Sequence, residues 1–377
     1  MATVAEPLAR VQEESSRAGV SPLAEFLLVG GATPVLFALG WVLRRVVGLD
    51  AADLAFGFTF FYAAHLLNDP HFAVTYVLFY RKARERAFGR ALPPAQRTRY
   101  VAAGLIAPAA MLAWAGWALA TRSSYALGLF IQLMFFTVGW HYCKQGFGVL
   151  TVLSARRGVR FLPRERGALL AHAYAAWAYA WASPHDAGTE VEEKGVVYTT
   201  IAHGLRLEQA THVVFLATAA WALVVLALKW KREGRLPIAT PLVGFVVSLW
   251  VWSVYSSADA LLVYAIPALH SLQYLYFVGL MKGAEARERE GPPWFERAAK
   301  TRMAWLAASA LGLGWLLFHG APTALDDLLV PRASRFTAMG PTPWFAAIYT
   351  FVNVHHFLMD AVLWRRESPE ARYLFAR

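Results

Sequence analysis

Residues 343–366 read PWFAAIYTFVNVHHFLMDAVLWRR and show in one segment how the whole chain is organised. An apolar run of roughly twenty residues ends at Arg365 and Arg366, as in a membrane helix that ends at the cytoplasmic surface. Inside the run lie His355, His356 and Asp360. Polar ionisable groups are expensive in hydrocarbon and usually mark a functional site there. This segment therefore predicts a transmembrane helix that carries part of such a site.

Nine further apolar runs of similar length are separated by short charged clusters. Apolar residues make up 58% of the chain and charged residues only 16%, so the sequence predicts an all-α integral membrane protein with a bundle of about ten transmembrane helices. The predicted spans are 24–43, 52–80, 100–120, 124–154, 167–184, 210–228, 237–256, 259–281, 303–319 and 343–364. They define one transmembrane domain, 23–366, between a polar segment, 1–22, and a tail, 367–377.

The basic residues give these spans a direction. Each even-numbered span is followed by a basic segment, whereas the loops 183–210 and 321–342 are acidic or poor in basic residues. The positive-inside rule then predicts cytoplasmic N and C termini, with Arg44 and Arg45 as the exception. The composition, rich in alanine and arginine, favours a bacterial inner (cytoplasmic) membrane.

Two features exclude whole classes of function. Cys143 is the only cysteine, which rules out intramolecular disulfides, thiolate zinc sites and cysteine-ligated iron–sulfur clusters. The net charge of +11 lies at helix ends, where topology accounts for it, so we expect no nucleic-acid partner.

Histidines mark four of the spans at one depth. In each, a histidine precedes another polar residue by four positions, and residues so spaced share a helix face. The pairs are His65 with Asp69, His141 with Gln145, His270 with Tyr274, and His356 with Asp360. Counted from the cytoplasmic basic residues, these histidines, with His71 and His355, lie about 13–24 Å from the inner helix ends. The other five histidines, in loops or near span ends, are expected to be interfacial: His172, His185, His203, His212 and His319.

This pattern predicts a metal centre of nitrogen and oxygen ligands. The predicted ligands are His65, Asp69, His71, His141, His270, His355, His356 and Asp360. They suit two iron ions, bridged or anchored by the aspartates; zinc, manganese or copper would also fit. Asn68, Gln145 and Asn353 are expected to support the ligands through hydrogen bonds.

Three further residues are candidates for catalysis. Tyr274 and Gln273 are predicted to face substrate or bound oxygen, and Lys144 to pair with Asp69 or Asp360. Pro70 and Pro267 predict helix breaks, the first of which would bring His71 beside His65.

The tandem His355-His356, with Asn353 two positions earlier, resembles the last histidine box of integral-membrane desaturases and hydroxylases. The layout of single histidines in many spans, including His270-Ser271, resembles the membrane-bound β-carotene-cleaving dioxygenases. Both resemblances imply a non-haem iron enzyme that activates oxygen against a lipid substrate.

The leading functional hypothesis is accordingly a membrane metalloenzyme, an oxygenase, hydroxylase or desaturase, that oxidises a membrane lipid or another hydrophobic small molecule. Because the chain has no flavin, nicotinamide or iron–sulfur motif, a separate electron donor is implied unless the enzyme is a dioxygenase. One alternative is a b-type haem protein for electron transfer, with His141 and His270 as axial ligands. The other is a proton- or ion-coupled transporter with histidine and aspartate at the membrane midplane.

Overall fold

The computed structural model describes residues 20–184, 186–235, 239–289, 298–331 and 337–375. Most of the polar N-terminal segment and His185 lie outside the described residues. Within these ranges ten long helices follow one another and coincide with the ten predicted spans. They are α1 (Pro22–Val47), α2 (Leu49–Tyr80), α3 (Pro94–Ala120), α4 (Ser124–Arg156), α5 (Pro163–Ala182), α6 (Leu205–Glu233), α7 (Ala239–Val254), α8 (Ala260–Glu288), α9 (Ala299–Leu329) and α10 (Pro343–Leu363).

Six of these helices are long and apolar enough to cross a membrane, which indicates a membrane protein. They are α1, α3, α4, α6, α9 and α10. α7, with sixteen residues, is a shorter apolar helix. α10 is the most enclosed of the six, because 72% of its apolar window is buried within the protein, whereas 11% is buried in α6. A surrounded helix that still carries histidines and an aspartate places those groups in the interior of the bundle.

Local sequence signals set the helix boundaries. Ser123 begins α4 by accepting a hydrogen bond from the Ala126 amide at 3.2 Å. α5 begins with Pro163 at its first turn, and the Glu165 side chain accepts from the Leu162 amide at 2.7 Å. α6 ends at Gly234, whose φ of 66° lies in the left-handed region.

Four helices contain a π-helical segment, and all four lie at odd positions in the order. The segments are Leu27–Gly31 in α1, Ala102–Ile106 in α3, Val247–Val254 in α7 and Leu316–Gly320 in α9. A π-turn widens the helix and is frequent at functional sites. In α1 the π-helical segment contains Gly30, whose φ is 138°. Residues with a Cβ atom rarely adopt this backbone conformation, whereas glycine does so readily.

The predicted breaks at Pro70 and Pro267 do not occur. α2 and α8 continue as helices through these prolines, and His71 does not turn towards His65. Neighbouring helices hold both segments in place, since α2 packs on α8 and α9.

The helices that carry the predicted ligands meet at the centre of the bundle. α10 packs against both α4 and α2, and α2 packs against α8. Phe72, Phe318, Val352 and Phe357 form one apolar cluster between α2, α9 and α10. This packing brings polar side chains from four helices into one dry interior.

A small β-hairpin departs from the all-α prediction. β1 (Glu190–Glu193) pairs antiparallel with β2 (Val196–Thr199) between α5 and α6. The Val197 amide donates to the Ala338 carbonyl at 2.7 Å, and Thr342 donates to the Lys194 carbonyl at 3.0 Å. The hairpin thus closes the end of the bundle at which α10 begins.

Ion pairs occupy both ends of the bundle. Arg44, part of the exception to the charge rule, contacts Asp53 at 2.8 Å and Asp259 at 2.6 Å, so its charge is balanced by two carboxylates. At the other end the predicted tail forms a 3-10 turn, Pro369–Leu374, that packs on α8. Arg86 pairs there with Glu370.

Candidate metal centre

Four histidine rings from four helices form a closed ring in the interior. His71 of α2, His141 of α4, His270 of α8 and His356 of α10 are each at most 4% exposed. Going round, the ring centroids of His71 and His270 are 5.0 Å apart, those of His270 and His141 4.9 Å, those of His141 and His356 5.0 Å, and those of His356 and His71 4.4 Å. The sequence placed these residues at similar depth, and the structure brings all four together.

Asp360 completes the group, which we call the buried cluster: His71, His141, His270, His356 and Asp360. Asp360 Oδ2 lies 3.4 Å from His356 Nε2 and 3.9 Å from His141 Nε2. Because Asp360 follows His356 by four residues, both project from the same face of α10. His141 belongs to two sets of converging donor atoms, one with His71 and His270 and one with His356 and Asp360.

The nitrogen atoms of the buried cluster fit a metal ion. His141 Nε2 and His270 Nε2 face each other at 3.1 Å, and one shared proton is the most that such a pair can use. Donor atoms about 2.1 Å from one ion, at mutual angles of about 90–110°, are about 3.0–3.4 Å apart. Within the buried cluster, four ring nitrogens have no hydrogen-bond partner among the described residues: His71 Nε2, His270 Nδ1, His356 Nδ1 and His356 Nε2. Orphaned buried polar atoms are rare in native proteins, and a bound cation would satisfy those that face the cluster.

Ser271 orients His71 towards the cluster. Its hydroxyl lies 3.3 Å from His71 Nδ1 and donates to Asn68 Oδ1 at 3.1 Å or to the Pro267 carbonyl at 2.7 Å. A hydroxyl that donates elsewhere accepts from His71 Nδ1–H, which leaves Nε2 with a lone pair inside the cluster. Asn68, a predicted supporting residue, contacts Ser271 through its side-chain oxygen.

Tyr274 orients Asp360. The phenol donates to Asp360 Oδ1 at 2.9 Å and accepts from Thr75 Oγ1 at 2.6 Å. With Oδ1 held in this way, Oδ2 is the oxygen that faces His141 and His356. Tyr274 thus contacts a predicted ligand directly, whereas the sequence predicted that it faces substrate.

The two glutamines connect the ligand helices to α1. Gln145 Nε2 donates to Gln273 Oε1 at 2.7 Å and to the His270 carbonyl at 3.2 Å. Gln273 Nε2 donates at 2.6 Å to the carbonyl of Val29, inside the π-helical segment of α1. Gln273, predicted to face substrate or bound oxygen, thus links α4, α8 and α1 through hydrogen bonds. Asn353 donates to Tyr349 of its own helix at 2.8 Å and bonds no ligand among the described residues.

Lys144 lies on another face of α4. Its ammonium sits 5.6 Å from the ring centre of Tyr174 and 5.8 Å from that of Phe147, as a cation over aromatic faces. It pairs with neither Asp69 nor Asp360, both of which the structure describes, so the expected ion pair is absent.

His355 lies away from the buried cluster and faces α3. Its Nε2 donates to the Ala103 carbonyl at 3.0 Å, and its Nδ1 accepts from Tyr76 Oη at 3.1 Å. His355 immediately precedes His356, so the two side chains are rotated from each other by about 100° around α10. His355 joins none of the donor groups found among the described residues. Its predicted role as a metal ligand is therefore not supported by its position.

His65 and Asp69 contact His319, which the sequence predicts to be interfacial. His319 Nε2 lies 2.8 Å from Asp69 Oδ2 and 3.0 Å from His65 Nδ1. We call His65, Asp69 and His319 the half-exposed triad. It is a second converging donor group, separate from the buried cluster.

Sequence signals could have identified His319 but not the supporting hydroxyls. His319 follows Arg302 by 17 residues, and His65 precedes Arg81 by 16, so both lie at one depth if each is counted from the basic residue at the end of its own helix. Ser271 and Thr75 stand beside ligands in sequence or on the same helix, but serine and threonine are common in membrane helices for packing reasons alone.

Comparison of the chain with models of protein families, with curated proteins and with solved structures finds no match. The geometry of the buried donor groups is therefore the basis on which function is inferred.

Proposed function

We propose that the protein is an integral-membrane metalloenzyme whose iron, bound without haem, oxidises a hydrophobic substrate dissolved in the membrane. The observation that carries this proposal is the buried cluster, in which four imidazoles and one carboxylate converge from four helices. A donor set of nitrogen and oxygen without thiolate suits iron, and manganese or zinc as well. Iron, when bound, would supply the redox chemistry.

The chain's own residues would bind and orient the ion and exclude water. Ser271 contacts His71 Nδ1 at 3.3 Å, and Tyr274 donates to Asp360 Oδ1, which would direct Oδ2 to the ion. The ligands are 0–5% exposed, so bulk water has no open contact with them. Such a dry, preorganised site strengthens the electrostatic interactions made inside it. Electrons for a hydroxylase or desaturase reaction would come from a separate donor.

The spacing of His141 and His270 argues against haem. Two axial nitrogens, each about 2.0 Å from a haem iron on opposite sides, are separated by about 4 Å with the porphyrin between them. Here the Nε2 atoms are 3.1 Å apart and the ring centroids 4.9 Å apart, with no room for a porphyrin.

We propose ten membrane crossings with both termini in the cytoplasm of a bacterial inner membrane. The ten helices and the basic ends of the even-numbered ones support this arrangement. Cys143 is buried, so cysteines introduced by Glu190→Cys and Arg365→Cys would be the accessible thiols. Membrane-impermeant maleimide added to intact cells should label the first variant only. Labelling of the second from outside would refute this topology.

The first test is elemental analysis and absorption spectroscopy of the detergent-purified protein. We expect about two irons per chain and no Soret band, and a lower iron content in His270→Ala. His172→Ala is the matched control, because His172 is also a buried histidine but bonds Thr218 at 3.2 Å and Trp250 at 3.2 Å, outside the cluster. Its iron content should equal that of the wild type.

The second test addresses substrate. Membrane lipids incubated with the iron-loaded protein, oxygen and a reductant should yield oxygenated or desaturated products that His270→Ala does not form. Absence of stoichiometric metal after loading with iron, zinc and manganese would overturn the proposal and favour the transporter.

A further inference from the structure

The half-exposed triad has the geometry of a three-donor metal face. Its three donor atoms approach one another at 2.8 Å (His319 Nε2 to Asp69 Oδ2), 3.0 Å (His65 Nδ1 to His319 Nε2) and 3.4 Å (His65 Nδ1 to Asp69 Oδ2). Cis ligands about 2.1 Å from one ion are separated by about 3.0–3.4 Å. Two histidines and one carboxylate on one face are the ligand set of non-haem Fe(II) sites that keep open positions.

Hydrogen bonding alone accounts poorly for this geometry. If His319 Nε2 carries a proton, it can donate that proton to Asp69 Oδ2 at 2.8 Å. His65 Nδ1, which lies 3.0 Å from the same nitrogen, must then compete with Asp69 for this one N–H group. A cation at the centre would be approached by all three lone pairs at once. Asp69 is 7% exposed, and a carboxylate at this depth requires a partner of opposite charge.

Backbone features of α9 place His319 in this position. His319 lies inside the π-helical segment Leu316–Gly320, which rotates it relative to the preceding turns. One turn earlier, Gly314 packs against the backbone of Asp69, where an added Cβ would lie 2.7 Å from the Asp69 carbonyl carbon. The close contact of α9 with α2 is therefore made at the residue that His319 contacts.

The triad differs from the buried cluster in orientation and access. Asp69 and His71 are two residues apart on α2, so their side chains point in directions about 160° apart around the helix. The side chains of His65 and His319 are 36% and 34% exposed, whereas the cluster histidines are nearly inaccessible. Leu66, next to His65 on α2, and Leu316, three residues before His319 on α9, are exposed apolar side chains, as is typical of helix surfaces in contact with hydrocarbon.

We infer that His65, Asp69 and His319 bind a second, mononuclear divalent transition-metal ion, with open coordination positions that small apolar molecules reach from the membrane. The two ions expected per chain thus occupy separate sites and are not bridged. This site does not depend on metal binding in the buried cluster.

The test uses the full-length protein in detergent, loaded anaerobically with Fe(II), with nitric oxide as a probe of open positions on ferrous iron. We expect the wild type to bind two irons and to give the electron paramagnetic resonance signal of a ferrous nitrosyl. His319→Ala should lose one iron and this signal. His319→Gln, whose amide still donates to Asp69 and preserves the helix contact, should weaken iron binding at this site at least tenfold.

Two further variants separate the sites. His270→Ala should retain the nitrosyl signal, because it alters the buried cluster only. His355→Ala should retain both irons, since His355 lies at similar depth but in neither donor group. A nitrosyl signal that survives in both His319 variants, or a wild type that binds no iron outside the buried cluster, would overturn the inference. Loss of the nitrosyl signal in His319→Ala, together with an iron content in His270→Ala equal to that of the wild type, would support the triad while counting against the proposed function.

Discussion

Removing the Tyr274 hydroxyl should weaken metal binding in the buried cluster without removing a ligand. In Tyr274→Phe, Asp360 Oδ1 loses the hydrogen bond of 2.9 Å that directs Oδ2 towards His141 and His356. A hydrogen bond to a charged group contributes about 1.5–3 kcal/mol, which corresponds to about 10–160-fold in an equilibrium constant. Supporting partners of metal ligands typically change affinity about 10–100-fold.

The neighbouring threonine limits the size of the effect. Thr75 Oγ1 already lies 3.4 Å from Asp360 Oδ1, and in Tyr274→Phe its hydroxyl is free to donate to that oxygen. We therefore expect the Kd to rise by about 10–30-fold, the lower part of the range. Thr75→Val removes the hydrogen bond of 2.6 Å to Tyr274 together with the longer contacts of 3.4 Å to Asp360 Oδ1 and to the His71 carbonyl, and should raise the Kd about 2–10-fold.

The measurement is a competition titration of the metal-free protein against a chromophoric chelator, in detergent. Tyr142→Phe is the matched control, because its ring lies 4.3 Å from that of His270 but its hydroxyl bonds no ligand among the described residues. Melting temperatures of the metal-free proteins show whether a variant is generally destabilised. A Kd for Tyr274→Phe within twofold of the wild type, or an equal change in Tyr142→Phe, would refute the assignment of Tyr274 as a positioning residue.

Three further predictions follow from the structure. His141→Ala should abolish metal binding in the buried cluster while His355→Ala preserves it, and equal metal loss in both would show that His355 is a ligand after all. Gly30→Ala should lower the free energy of unfolding by about 1–3 kcal/mol, seen as a lower melting temperature in detergent. The cause is backbone strain at φ 138° and not a steric clash, because an added Cβ would make only ordinary contacts of 3.4–3.5 Å. Arg44→Gln should lower the free energy of unfolding by about 1 kcal/mol, a small effect because the ion pair of Arg44 with Asp259 is partly exposed. An unchanged melting temperature would indicate that water solvates the carboxylates equally well.

The positions of the helices followed from the sequence because hydrocarbon selects for long apolar runs. Each predicted span coincides with a helix, and four of the six histidines expected at one depth meet in one cluster: His71, His141, His270 and His356. The depth of a residue along a helix follows from the number of residues between it and the charged end of that helix, so the linear sequence is enough to predict it.

The rotation of each helix could not be read in the same way. His355 and His356 are adjacent, yet one faces α3 and the other the buried cluster, and His65 and His71 of a single helix belong to two different donor groups. Which face turns inward depends on packing against neighbours, such as the contact of Gly314 with Asp69.

Sequence was therefore sufficient for the class of protein, the helix positions and the donor chemistry, because hydrophobicity and side-chain type are properties of the chain itself. The division of the donors into a buried cluster and a half-exposed triad depends on contacts between distant segments. His319 reaches Asp69, 250 residues away, only because α9 contains a π-turn and packs closely on α2. No local pattern encodes that meeting, since it is produced by the relative rotation and spacing of two packed helices.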